Sequence, residues 1–144
     1  SGICGLIAAR DALGLKTEIV GVVSENADCA KRSVEAGRLV ETETAATFAD
    51  GMAVRVPVKE AFDIYSEGAA RIVSVGDDEV AEAIRIYLRT THNLAEGAGA
   101  APLAALMQER AAMRGRKAAV ILCGGNIDGD WLAEVLAERT PTPR

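Results

Sequence analysis

Three stretches of this chain combine residue types that could do chemistry. The first is Cys123-Gly124-Gly125-Asn126, directly after the apolar run Lys117 to Leu122. Such an arrangement sets a thiol and several unshielded amides at the carboxyl end of a strand, where α/β proteins bind ligands. The two glycines would let a flat ligand approach the backbone, although a buried cysteine before a turn is the commoner use of such a sequence. The second is Glu96-Gly97-Ala98-Gly99-Ala100, an acid among small residues that hardly screen it. It can face a ligand or simply complement the positive end of a following helix, and both readings stay open. The third is Ser1-Gly2, whose small side chains open a helix and leave its free amides accessible to a phosphate. Ordinary capping is the commoner reading there.

Other polar residues call for no chemistry. The lone His92 ends a helix, where a cation favours the dipole. Arg110, Arg114, Arg116 and Lys117 form a small basic cluster of the kind usually found on a solvated face. Cys4, Cys29 and Cys123 are too widely spaced for a CxxC zinc pattern and are odd in number, so no disulfide framework is expected. A reducing, cytoplasmic setting suits them better.

The elements that must position these residues alternate. Gly2 to Leu13 reads as a helix stopped by Gly14, Glu18 to Val23 as a buried strand, and Ala27 to Ala36 as a helix closed by Gly37. Leu39 to Val56 reads as an irregular excursion with one or two short strands. Helices are expected over Val58 to Ala70, Asp77 to Thr91, Leu103 to Ala112 and Asp130 to Glu138. Strands are expected over Arg71 to Val75 and Lys117 to Leu122, and Thr140 to Arg144 reads as a frayed tail. Strands separated by helices imply an α/β fold with a doubly wound, mainly parallel sheet covered on both faces.

Composition narrows the partners. The 144 residues are 49% hydrophobic and 26% charged, which suits one globular unit with an apolar core. A formal charge of −5 argues against nucleic acid, whose phosphates need a basic surface. No apolar run approaches the roughly 20 residues of a membrane-spanning helix. Ser1-Gly2 leads straight into the apolar stretch Ile3 to Ala9 with no initiator methionine, so the chain is expected to begin inside a larger protein.

Taken in order, Ser1-Gly2-Ile3-Cys4-Gly5-Leu6, Val22-Val23-Ser24-Glu25-Asn26, Ala49-Asp50-Gly51, Glu96-Gly97-Ala98-Gly99-Ala100 and Cys123-Gly124-Gly125-Asn126-Ile127-Asp128 resemble the threonine/serine dehydratase and serine racemase family of fold-type-II pyridoxal-phosphate enzymes. The resemblance runs from Ser1 to about Leu136. It implies that residues 1–138 are most of the large domain of such an enzyme, its C-terminal half, with residues 139–144 a flexible tail. It further implies a pyridoxal 5'-phosphate site. Ser1 would close the phosphate-cradling loop and Gly2 begin the helix. Cys123, with Gly124 beside it, would face the pyridine nitrogen, Glu96 would lie close to the ring, and Gly51 would face ring or substrate.

The family's cofactor-bearing lysine belongs to a Ser-x-Lys motif in the N-terminal half, and Lys16, Lys31, Lys59 and Lys117 all lie in other contexts. No catalytic residue is therefore assigned to this chain, and alone it is expected to be inert. The complete enzyme would remove the β-hydroxyl of an amino-acid substrate and release a keto acid and ammonia, with threonine, serine or a hydroxyectoine derivative as candidates. A serine racemase-like activity is the alternative. The racemase branch binds a divalent metal through acids at two positions that are Val23 and Cys29 here; a valine removes an oxygen ligand and a thiol suits hard cations poorly, so no metal is expected. A non-catalytic small-molecule-binding α/β domain is the rival of another class. The expected partners are the missing N-terminal half and, because a sheet cut at its edge exposes apolar surface, a second copy of the chain in a homo-oligomer.

Overall fold

The computed structural model describes residues 2–144, so the expectation for Ser1 lies outside the described residues. Two strands, β1 (Val20–Ser24) and β2 (Arg71–Val75), pair in parallel with Val22 opposite Val73. Parallel neighbours need a crossover, supplied here by α2 (Cys29–Ala36), an irregular stretch holding one 3₁₀ turn at Asp50–Met52, and α3 (Lys59–Gly68). α1 (Gly2–Ala12) precedes β1, and α4 (Asp77–Thr91), α5 (Gly97–Gln108) and α6 (Gly129–Leu136) follow β2.

The pleat sorts the two sheet faces. On one, Val22 and Val73 pack against the core made by Val75, Val80, Ile84, Phe48 and the alanines of α5. On the other, Gly21 leaves room for Ile3 of α1: a β-carbon at Gly21 would lie 3.1 Å from Ile3 Cδ1. Helices therefore cover both faces of a parallel pair, the layering that alternating elements predict. No described helix is long and apolar enough to cross a membrane.

α4 is the central helix. Val80, Ala81, Ala83 and Ile84 are fully buried on one stripe, spaced as a helix requires. Its first turn carries Asp77, Asp78 and Glu79, which complement the positive end of the dipole. Each also fixes a separate segment. Asp77 accepts from Thr47 Oγ1 at 2.5 Å and from the Phe48 N–H at 3.3 Å, Asp78 accepts from Thr140 Oγ1, and Glu79 accepts from the Gly76 N–H at 2.8 Å and from Gln108 at 2.6 Å.

Four expectations need correction. Lys117 to Leu122 forms no ladder among the described residues. It is extended, with Val120 and Leu122 packed on the core and Ile121 exposed, so the period-2 pattern is that of a strand while the pairing is absent. α5 begins at Gly97 rather than Leu103, and Pro102 lies inside it. Having no N–H, Pro102 leaves the Ala98 carbonyl without its intrahelical donor, so packing of the buried glycines and alanines of α5 outweighs local propensity. Leu39 to Val56 contains no strand, only the 3₁₀ turn and two cross-links, Thr42 N–H to the Arg55 carbonyl at 3.0 Å and Arg55 Nη1 to the Glu43 carbonyl at 3.1 Å. Residues 139–144 are docked instead of frayed: Pro141 is fully buried and Arg144 reaches Asp128 and Asp130.

Arg71 at the start of β2 holds Glu109 just past α5 through paired hydrogen bonds, Nε to Oε1 at 2.7 Å. Those bonds keep the Glu109 carboxyl below its ordinary range. A depressed carboxylate contributes stability above its unfolded pKa, about 4.3, and loses it as pH falls through the folded value. Both side chains are partly exposed, so the pair contributes at most about 1 kcal/mol. Glu109→Gln is expected to be less stable than wild type by that amount at pH 7, with the difference closing below about pH 4; urea melts across pH would measure it.

Candidate functional site

Three residues that lie far apart in sequence meet around one carboxylate. Glu96 caps the start of α5, where its backbone is extended. Its own N–H donates to the Gly124 carbonyl at 2.9 Å, and its Oε2 accepts the Asn126 N–H at 3.0 Å. The backbone and side chain of one residue thus hold a single loop from two sides. On the other flank stands Gly51, where a β-carbon would lie 2.9 Å from Ala98 Cβ and 3.5 Å from Glu96 Oε1.

A β-carbon on Gly99 would sit 2.5 Å from the Gly124 carbonyl oxygen, so α5 and the loop are pressed backbone to backbone there; one on Gly124 would sit 2.5 Å from Glu96 Oε1, so that carboxylate would have to shift. A β-carbon on Gly97 would likewise lie 2.6 Å from Ala49 Cα. The first turn of α5 is therefore the floor between two walls, residues 47–51 and residues 123–128.

Of the residues singled out from sequence, Gly51, Glu96 and Gly124 come together here. Cys123 precedes Gly124 on the same loop and is exposed. Gly2 is exposed at the start of α1, whose contacts run to α3 and to Gly21 of β1. No acid occupies the first turn of α1, so its amide end is not neutralised as that of α4 is. His92 caps α4 in the left-handed region at φ 57°, exposed, in keeping with a structural role. Gly99 and Asn126 lie within the stretches singled out from sequence but were given no role of their own there. The i, i+2 spacing of Gly97 and Gly99 at a helix start was the available signal for a close backbone approach.

A cleft of about 430 Å³ is lined by Glu25, Gly76, Asp77, Asp78, Glu79 and Gln108. Three of its four carboxylates are engaged in the bonds that brace α4, and its charge is wrong for a phosphorylated ligand. The first turn of α5 with its flanking loops is the better receptor for a flat ring, since it offers backbone surfaces and a thiol beside a single carboxylate, Glu96, which is engaged by the Asn126 N–H. The residues fit the pyridine ring of pyridoxal phosphate in kind: a thiol at Cys123 and glycines at Gly51 and Gly124.

Parallel strands flanked by helices, with an acid, a thiol and glycines gathered where loops meet a helix start, define an α/β protein. Residues 1–124 match the family described as pyridoxal-phosphate dependent enzyme, and the chain belongs to that family. It is similar to an L-threonine ammonia-lyase of Geobacter sulfurreducens, 37% identical over 93% of this chain and 33% of the relative. It is also similar to an L-threo-3-hydroxyaspartate ammonia-lyase of a Pseudomonas species, 31% identical over 93% of this chain and 42% of the relative. Among solved structures, the processed form of threonine deaminase isoform 2 from Solanum lycopersicum superimposes with a TM-score of 0.86 at 25% identity, covering 94% of this chain and 38% of that one. The chain thus spans about a third to two fifths of the length of the curated relatives named here.

Glu96→Ala removes a hydrogen bond to a charged acceptor, an interaction of roughly 1.5–3 kcal/mol. The Asn126 amide is expected to exchange with solvent at least about tenfold faster in the variant, while amides of the α4 core are unchanged. Amide exchange resolved by residue would check this.

Proposed function

We propose that the full-length protein carrying this chain is a pyridoxal-phosphate-dependent ammonia-lyase that eliminates the β-hydroxyl of a small hydroxy amino acid, giving a keto acid and ammonia. The observation that carries this reading is the convergence of Gly51, Glu96 and Gly124 around the loop that bears Cys123. The activities of the relatives, threonine and hydroxyaspartate ammonia-lyases, support the reaction class.

Cys123 would hold the pyridine nitrogen through a weak thiol hydrogen bond and would leave that nitrogen unprotonated. When bound, pyridoxal phosphate supplies an electron sink for the pair left at Cα as its proton departs. Gly51 and Gly124 would bound the ring, leaving no side chain in its plane. Glu96 would hold the Cys123 loop through Asn126 rather than move a proton. Gly2 would bring the acid-free start of α1 towards the phosphate.

Elimination is favoured over racemisation by Val23 and Cys29. The Cys29 thiol is buried, donates to the Val54 carbonyl at 3.2 Å, and has its pKa raised by burial, a poor setting for a hard divalent cation. The lysine that bears the cofactor would come from outside this chain. Lys31 and Lys59 are paired with Glu35 and Asp63 on helix surfaces, and no lysine here lies in a Ser-x-Lys motif.

Two experiments test the reading. The 144-residue chain mixed with the cofactor and reduced with borohydride is expected to show no lysine modified in preference to the others by peptide mapping; one stoichiometrically labelled lysine would overturn that expectation. In the full-length protein, Cys123→Ala is expected to retain the cofactor, change how its absorbance responds to pH, and lower kcat by about tenfold. Spectra and rates equal to wild type at every pH would remove Cys123 from the site.

A further inference from the structure

The two walls of the shelf, residues 47–51 and 123–128, are joined a second time, away from any group assigned to the ring. Phe48 is buried, its N–H is held by Asp77, and its successor Ala49 lies against Gly97 with no spare room. A shift of Phe48 therefore carries the Ala49 to Gly51 wall with it. The Phe48 ring meets Trp131 edge to face, centroids 6.1 Å apart at 80°. Trp131 stands in the first turn of α6, whose cap, Asp128, is the last residue of the other wall. The Asp128 carbonyl accepts the Leu132 N–H at 2.9 Å, so loop and helix move together.

Arg144 closes this turn from outside. Its guanidinium lies 5.3 Å from the centroid of the Trp131 ring and reaches Asp128 at 3.1 Å and Asp130 at 3.2 Å. A planar cation can stack on an indole and pair with carboxylates at once, which a lysine cannot reproduce. Each exposed pair alone is weak, but here all three contacts fall on one helical turn and hold the indole against Phe48.

We propose that Trp131 and Arg144 form a strut that sets the separation of the two walls, which makes them positioning residues for the ring-binding shelf. The inference rests on the proposal that the shelf receives the cofactor ring. Arg144 is exposed and belongs to no buried cluster, so its removal leaves the core intact.

The test uses the full-length protein. Cofactor affinity and the visible circular dichroism of the bound cofactor are measured for wild type, Arg144→Ala, Arg144→Lys, Trp131→Phe and Gly124→Ala, beside the melting temperature of each apoprotein. Arg144→Ala is expected to weaken cofactor binding about fivefold and to reduce the dichroism, with the apoprotein melting within about 2 °C of wild type. Arg144→Lys is expected to recover only part of the loss, and Trp131→Phe to resemble Arg144→Ala. Wild-type affinity and dichroism in both Arg144→Ala and Trp131→Phe, with binding lost in Gly124→Ala, would overturn the strut and leave the shelf standing. Absence of binding by the wild type, or undiminished binding by Gly124→Ala, would overturn the shelf and the strut with it. Should Trp131→Phe fail to fold, Arg144→Ala decides.

Discussion

The grip of Glu96 on the backbone of residues 124–126 is the constraint on which the arrangement of the site depends. A carboxylate at a helix start normally serves the helix; here it turns outward and accepts from a loop, while its N–H takes a carbonyl of the same loop. For that to happen the loop must lie within hydrogen-bond reach of the first turn of α5, which excludes a side chain from Gly99 and sets the Glu96 carboxylate where one on Gly124 would go. The small residues of α5 follow from the same demand. Gly97, Gly99, Ala100, Ala101, Ala104 and Ala105 are all buried, and the helix packs by proximity of backbone rather than by bulk.

Around that contact the fold supplies rigidity from α4. Its buried stripe anchors it in the core, and its acidic first turn fastens the 47–48 segment, Thr140 and Gln108 of α5. One helix end thereby sets the height of one wall of the shelf, the end of α5 and the position of the C-terminal segment. The sheet itself is a minimal two-stranded pair, and packing of helices on its two faces carries the organisation.

Much of this was legible in the sequence where periodicity is strong. Val80, Ile84 and Leu88 mark α4, and Arg71 to Val75 marks β2. The site was legible only as separate fragments: Glu96, Gly51 and Gly124 carry small-residue and acid signals, but nothing in their spacing says that one carboxylate binds the loop of another. The start of α5 was misplaced because glycine and proline read as breakers locally, whereas close packing against Ala49 and Gly124 overrides that propensity. The docking of residues 139–144 was hidden for a similar reason. Thr140, Pro141 and Arg144 look like a polar terminus until Asp78, Asp128, Asp130 and Trp131 are brought to them by tertiary structure.

The contrast between the starts of α1 and α4 has an electrostatic consequence. Both helices present a positive dipole end, but α4 carries three acids in its first turn and α1 carries none. The three carboxylates of Asp77, Asp78 and Glu79 thus offset the amide end of α4, while nothing in the first turn of α1 offsets its own.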